Sequence, residues 1–525
     1  MAGDIGLPRG RSVRGGVSLT ALVAAYGLIV HVTLATTNRQ LLVVLDGLRP
    51  DYVTPSVMPN LHALGQRGIV FANHHSVFPT VTRVNASSIS TGSYPDTHGL
   101  MGNSVFFPQV DPRRFLDTGE RANLLRIEAA VQGKLLTTPT LGEILQASGK
   151  RVLAVSSGGT GSSYLLNYKV AGGAILQTEY ALPEPLHAEM MAKFGAVPPE
   201  AKPNDARNRR AVDAFLQIGL PKINPSVTFL WINDPDGTAH ARGVGHPVTL
   251  EALKRVDAEI KRLQDGLAAA GLLDSYDIWV TSDHGFSTST PPVDIGAIVK
   301  PFEGTLADGT PRIVTDGGAV YVRDHDREAI AGIVNALQRT DGVGAIFTPA
   351  PAGGTLDGRA PGTLSFDAIR WTHERSADIL FSADWTDAKN AYGFAGMTAS
   401  GEVANHGSSS PFDVHNVLIA AGPDLKDGTV VRAPSGNVDF APTFLHLIGA
   451  DIPRSMEGRV LEEALRGGPN PASLKVQPSR QTVRNASGSY SLTAFFSTVT
   501  SSRGSYRYFD STKVDRRAVP RNGGR

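Results

Sequence analysis

Four short clusters in this 525-residue sequence carry side chains suited to holding a cation. The apolar run 41–45 ends at Asp46-Gly, a hard oxygen ligand at the end of a rigid segment, although Asp-Gly after a strand also reads as a plain turn. Asp236-Gly-Thr-Ala-His240 sets a carboxylate and an imidazole four residues apart, so both can meet one ion if the segment starts a helical turn. Asp283-His284-Gly places the same pair side by side before a glycine that permits a sharp backbone turn. Asn405-His406-Gly adds a late imidazole shortly before another apolar run. Each cluster alone is weak, and each has a bland reading as a solvated loop. Four of them at the ends or starts of strand-like runs converge on metal chemistry.

A metal centre that does chemistry on an ester also needs a nucleophile, and Phe78-Pro-Thr-Val-Thr82-Arg-Val-Asn-Ala-Ser-Ser-Ile-Ser-Thr-Gly92 offers one. After the proline the pattern turns helical and Gly92 stops it. Thr82 then falls at a helix N-terminus, where free amides and the dipole favour phosphate and a deprotonated hydroxyl. Threonine is a poor nucleophile unless a metal or base activates it, and the bland reading is that Thr82 only caps the helix. Arg83 beside it can fork onto a second phosphate or sulfate oxygen; its bland reading is a surface residue of the first turn.

The elements that must position these residues follow one rhythm. Short apolar, β-branched runs at 41–45, 151–156, 227–232, 277–281 and 415–420 alternate with helical patterns, which predicts a mostly parallel sheet covered by helices. Leu250, Leu253, Val256, Ile260, Leu263 and Leu267 recur every three or four residues and predict a one-sided helix. Open α/β sheets carry their sites at the carboxyl ends of strands, where these clusters lie. The fold class expected is therefore α/β. The expected division is an N-terminal segment 1–36, core 37–285, an inserted α+β cap 286–400, core 401–468, and a short strand extension with a frayed tail at 469–525. Within the cap, strands are expected at 319–322, 344–347 and 379–381 and a helix at 327–337, with 349–361 a loop.

Composition narrows the function classes. Fifty Lys+Arg against 49 Asp+Glu leave a net charge of +1, so there is no basic field to hold duplex nucleic acid by counterion release. Cysteine is absent, which excludes disulfides, thiolate metal sites and a Cys nucleophile. Arg9, Arg11 and Arg14 precede an uncharged stretch from Gly15 to Asn38, which has the layout of an export signal. An uncleaved membrane anchor and a misassigned start are the alternatives. The expectation is an exported protein whose only membrane association would be through this segment.

Taken in order, the motifs resemble the type I phosphodiesterase/nucleotide pyrophosphatase family of the alkaline phosphatase superfamily, over most of residues 40–467. The resemblance rests on the early Asp46, the Pro-x-x-Thr turn, Thr91-Gly-Ser-Tyr-Pro-Asp-Thr-His-Gly-Leu-Met-Gly-Asn103, Asp-x-x-x-His, Asp-His-Gly and the late His-Gly. It implies an alkaline-phosphatase-like fold and a pair of divalent ions, zinc first among them. One ion would be held by Asp236, His240 and His406, the other by Asp46, Asp283, His284 and the Thr82 oxygen. It further implies Thr82 as nucleophile through a phosphothreonine, Asn103 as donor to a phosphoryl oxygen, and hydrolysis of a small-molecule phosphodiester or pyrophosphate-type bond. The segment Asn437-Val-Asp-Phe-Ala-Pro-Thr443 resembles the superfamily's closing segment, read here as packing.

Two departures matter. Arg83 stands where nucleotide pyrophosphatases commonly carry an aromatic or apolar residue. Phosphonoacetate hydrolases, similar in the same motifs, have lysines where this chain reads Ser156-Ser-Gly-Gly-Thr-Gly-Ser-Ser163, which disfavours that substrate and suggests a mobile, hydroxyl-rich substrate wall. The alternative functions are a phosphomonoester, phosphonate or sulfate ester hydrolase on the same metals, and a non-catalytic binding protein on the same scaffold. His74, His75, His98, His246 and His415 are further candidates for the neighbourhood of the site, most of them expected to be structural.

Overall fold

A computed structural model of the chain describes Met1 and residues 38–501 and 503–517, and the described residues from Asn38 onward form one compact unit. The N-terminal export segment and the final Arg-Asn-Gly-Gly-Arg lie outside the described residues. Among the described residues no helix is long and apolar enough to cross a membrane.

The centre is a nine-stranded sheet. Its strands are β1 (Arg39–Leu45), β2 (Ile69–Phe71), β3 (Val152–Ser156), β4 (Ala174–Gln177), β5 (Ala181–Leu182), β6 (Val227–Ile232), β7 (Tyr276–Thr281), β8 (Leu418–Ala421) and β9 (Thr429–Val431). They lie in the order β9-β2-β8-β7-β1-β6-β3-β4-β5. From β7 through β1, β6 and β3 to β4 every pairing is parallel. These strands are apolar on both faces because both are covered. Along β1, Leu42 and Val44 enter one core while Leu41, Val43 and Leu45 enter the other. The predicted amphipathic helix spans Pro247–Ala269 and buries the expected stripe, apart from half-buried Leu250, against the second core.

The fifth strand differs from the expectation. Residues 415–420 divide: His415–Asn416 pairs with His74–His75 in a small separate sheet, and β8 joins the central sheet antiparallel to β7. A run of β-branched residues does not say which way its neighbour points, and here the chain arrives from the short helix Pro411–Val414 by way of the small sheet.

The strands and helix expected within residues 286–400 lie where the sequence put them. Strands Ile313–Asp316, Ala319–Val322, Val343–Thr348, Leu364–Ser365 and Ile379–Ala383 form a five-stranded sheet, covered by helix Arg327–Arg339. The C-terminal part is more than a short extension. Lys475–Arg484, Tyr490–Ser501 and Gly504–Arg516 form a three-stranded antiparallel sheet of long strands. Leu492 and Phe496 pack into the cap core, and Val499 and Tyr508 into the main core. Their alternation with Ser and Thr hides a half-buried strand behind a polar composition.

Candidate active site

The metal-type clusters meet at the carboxyl edge of the sheet, where β1, β6 and β7 run side by side. Asp46 follows β1, and its backbone continues the ladder by donating to Ile232 O at 3.0 Å. Its Oδ2 accepts from the indole Nε1 of Trp231 on β6 at 2.9 Å, while Oδ1 is buried without a partner. Asp283 follows β7. Its Oδ1 accepts from the Gly47 amide at 3.1 Å, and Oδ2 is likewise buried and unpartnered. Asp236 opens helix Asp236–Arg242, the helical turn on which the Asp-x-x-x-His reading depended, with a third orphaned oxygen, Oδ2.

Three imidazoles face these oxygens. His240 Nε2 lies 3.2 Å and His406 Nε2 3.4 Å from Asp236 Oδ2. His284 Nε2 lies 3.1 Å from Asp283 Oδ2 and 3.5 Å from Asp46 Oδ1. In each ring the other nitrogen is committed to a backbone carbonyl: His240 Nδ1 to Ala404 at 3.1 Å, His284 Nδ1 to Gly285 at 2.9 Å, His406 Nδ1 to Thr80 at 2.8 Å. A proton held on Nδ1 by such a carbonyl leaves Nε2 as a lone pair, the tautomer a metal requires. Glu402, 2.5 Å from His240 Nδ1, adds a carboxylate behind that ring.

The electrostatics state the same problem. Burial and the nearby charges of Asp283 and Asp236 push the Asp46 carboxyl well above its usual range. Burial would lower His240, but Asp236 outweighs it and raises the ring to about 10. Burial and the proximity of His284 drive His406 well below the ordinary histidine value. Carboxylates held this close, Asp46 and Asp283 both buried, are costly to each other unless cations sit among them. Orphaned oxygens and directed Nε2 atoms in a His/Asp set fit divalent ions of the zinc type. The donors within mutual reach fall into two groups, Asp236 with His284 and His406, and Asp46 with Asp283 and His284.

Thr82 is the first residue of helix Thr82–Thr91, which Gly92 ends at φ +64°. The hydroxyl does not cap the helix. It is buried, with Oγ1 3.4 Å from His284 Nε2. Asn103 is tied to the next residue, its Oδ1 accepting from the Arg83 amide at 2.9 Å. That bond turns Nδ2 the other way, with no protein partner among the described residues. The Arg83 side chain is only 20% exposed. It lies against Gly119, where a Cβ would come within 2.3 Å of Nη2, and Nη2 reaches Asp117 Oδ1 at 3.3 Å while Nε is buried without a partner. It is therefore not the surface residue of the bland reading.

Supporting residues escaped the sequence because their types are generic. Trp231 reads as one more apolar strand residue. Asn437 Nδ2 donates to Asp283 O at 2.9 Å, so the closing segment braces the site as well as packing. Asp413 receives the Gly285 amide on its backbone oxygen at 2.8 Å. Gly285 is there for space: a Cβ would lie 2.0 Å from Phe412 O. In the serine-rich stretch, Ser157, Ser162 and Ser163 are buried, and Ser157 Oγ donates to Asn208 Oδ1 at 2.7 Å. Of the other histidines, His98 bonds Ser88 Oγ and the Leu100 amide and His246 caps a helix; both are structural. His74 touches Asn437.

Fold and site together define a hydrolase of the alkaline phosphatase superfamily. The chain belongs to the type I phosphodiesterase/nucleotide pyrophosphatase family, which matches residues 40–388, and it is a phosphodiesterase/nucleotide pyrophosphatase-like hydrolase. It is 24% identical to human bis(5'-adenosyl)-triphosphatase ENPP4 over 78% of each chain. It is 27% identical to rat ectonucleotide pyrophosphatase/phosphodiesterase family member 1, over 47% of this chain and 24% of that longer protein. Among solved structures, murine ectonucleotide pyrophosphatase/phosphodiesterase 5, in an inactive form bound to AMP, superposes with a TM-score of 0.55 at 17% identity, covering 79% of this chain and 96% of that one.

Proposed function

We propose that the chain hydrolyses small phosphodiester or pyrophosphate-type substrates, nucleotides foremost, at a two-cation centre through a phosphothreonine on Thr82. The observation that carries this reading is the convergence of three orphaned carboxylate oxygens and three directed Nε2 atoms, one of which, on His284, lies 3.4 Å from the buried Thr82 hydroxyl. Asp236, His240 and His406 would hold one ion, and Asp46, Asp283 and His284 the other, zinc being the first candidate. Bound there, such ions supply Lewis acidity and neutralise charge on the entering and leaving oxygens. Thr82 Oγ1 forms the new bond to phosphorus as the alcohol or phosphate leaving group departs. Water then cleaves the phosphothreonine and restores the hydroxyl. Two in-line displacements give net retention at phosphorus. Asn103 Nδ2, turned away from the Arg83 amide, donates to a non-bridging oxygen where charge develops. Nucleotide substrates are favoured because relatives are named for bis(5'-adenosyl)-triphosphatase and nucleotide pyrophosphatase activity.

The domain reading goes with this proposal: core 37–285 and 401–468, cap 286–400, C-terminal sheet and tail 469–525, and an N-terminal export segment 1–36 that carries the protein out of the cytoplasm. The test is the ratio of turnover on bis-p-nitrophenyl phosphate to that on p-nitrophenyl phosphate, with zinc supplied and Thr82→Ala as blank. A ratio well above one is expected. A ratio well below one favours the monoester reading, and absence of both activities removes the phosphate-ester reading.

A further inference from the structure

Outside this site a second imidazole–carboxylate cluster joins the core to the C-terminal sheet. His75 sits in strand His74–His75, His415 in the paired strand His415–Asn416, and Asp510 in strand Gly504–Arg516. One ligand-type atom from each lies within 4.8 Å of the other two. The two rings are 4.6 Å apart, and Tyr508 stacks on the other side of His75 at 5.5 Å.

The hydrogen bonding of His75 exposes an imbalance. Its Nδ1 lies 2.9 Å from the backbone oxygen of Ser435, and its Nε2 lies 2.8 Å from Asp510 Oδ1. Both partners are acceptors only, and a neutral imidazole has a single N–H. With Nδ1–H donated to Ser435, the Nε2 lone pair points at a carboxylate, which is repulsive in a site where His75 is almost fully buried. Something positive must stand between them. A second proton on His75 would do so through Asp510 alone and would make no use of the neighbouring imidazole of His415. A metal ion uses all three groups. Their supports are already built: Ser435 O orients His75, and Ser497 Oγ donates to Asp510 Oδ2 at 2.8 Å.

We propose that His75, His415 and Asp510 form a separate binding site for a divalent ion of the zinc class, clamping the C-terminal sheet to the core. Two imidazoles and one carboxylate are a ligand set zinc accepts, with a fourth position left to water. The site stands apart from the residues proposed for turnover and does not rest on that reading.

The test loads metal-depleted full-length protein with Zn2+, desalts it into metal-free buffer and measures zinc per chain for wild type, His415→Asn and Asp510→Asn, with folding checked by circular dichroism. Each variant should carry about one zinc fewer than wild type while retaining turnover. Equal zinc in all three overturns the site and leaves a protonated His75–Asp510 ion pair. Because the result is a difference, it holds whatever the count at the active site. Wild-type protein gives a second readout that no misfolded variant can obscure. Zn2+ should block diethyl pyrocarbonate modification of His415, mapped by mass spectrometry, and leave exposed His446 reactive; equal modification of His415 with and without Zn2+ also overturns the proposal.

Discussion

At the scale of single residues the site works by leaving particular atoms without partners. Asp46, Asp283 and Asp236 each keep one buried oxygen free. Such atoms cost about 1–3 kcal/mol apiece unless something binds them, so their alignment is a statement about ligands. Thr82→Ala should therefore remove turnover while leaving the zinc content of the purified protein unchanged; retained activity would exclude Thr82 as nucleophile. On the proposed mechanism Asn103→Ala removes a donor to the developing charge, and kcat should fall about 10²–10³-fold with a smaller change in KM. A rise in KM alone, with kcat unchanged, would mean that Asn103 serves ground-state binding instead. Arg83, next to Thr82, has an unpartnered buried Nε. Arg83→Ala is expected to depress kcat/KM for substrates with a second charged phosphate more than for bis-p-nitrophenyl phosphate, and equal losses on both would assign it to packing.

Elements deliver those residues through close backbone approach. The turn after β7 passes so near Phe412 that only glycine fits at 285. Gly285→Ala should displace His284, lowering both the melting temperature and zinc retention; a variant with wild-type values would show that the loop yields. Inside β7 itself, Asp277 is buried, and that burial, eased by the Gln40 hydrogen bond and reinforced by Asp424, raises its carboxyl to about 7. Between the unfolded carboxyl value of about 3.9 and that raised value, the folded chain holds a proton the unfolded chain releases. The stabilisation is full below the unfolded value and is lost as pH rises through about 7. Asp277→Asn should flatten the fall in melting temperature between pH 5 and pH 8, and an unchanged slope would assign that fall to other groups.

Over the whole molecule, the C-terminal sheet is part of the folded body. Arg459 and Glu463 form an ion pair at 2.6 Å, both 1% exposed. Arg459 Nε also donates to Tyr508 of the last strand at 3.1 Å, and Tyr508 OH donates to Asp439 at 2.8 Å. Removing one partner of such a pair strands a buried charge at a cost of about 3–5 kcal/mol. Glu463→Ala should lower unfolding stability by that order in urea, and a loss under 1 kcal/mol would show that water reaches Arg459. By itself the sequence determined the parallel α/β rhythm, the Pro247–Ala269 helix, the cap elements and the order of the Asp, His and Thr motifs, because periodicity and strand-end residues are local properties. Only the tertiary structure decided that β8 runs antiparallel, that the serine-rich stretch is buried, that Trp231 and Asn437 brace Asp46 and Asp283, and that His75 meets His415 and Asp510. Each of those pairings joins residues distant in sequence whose types are common everywhere, so their meaning comes from what the fold sets beside them.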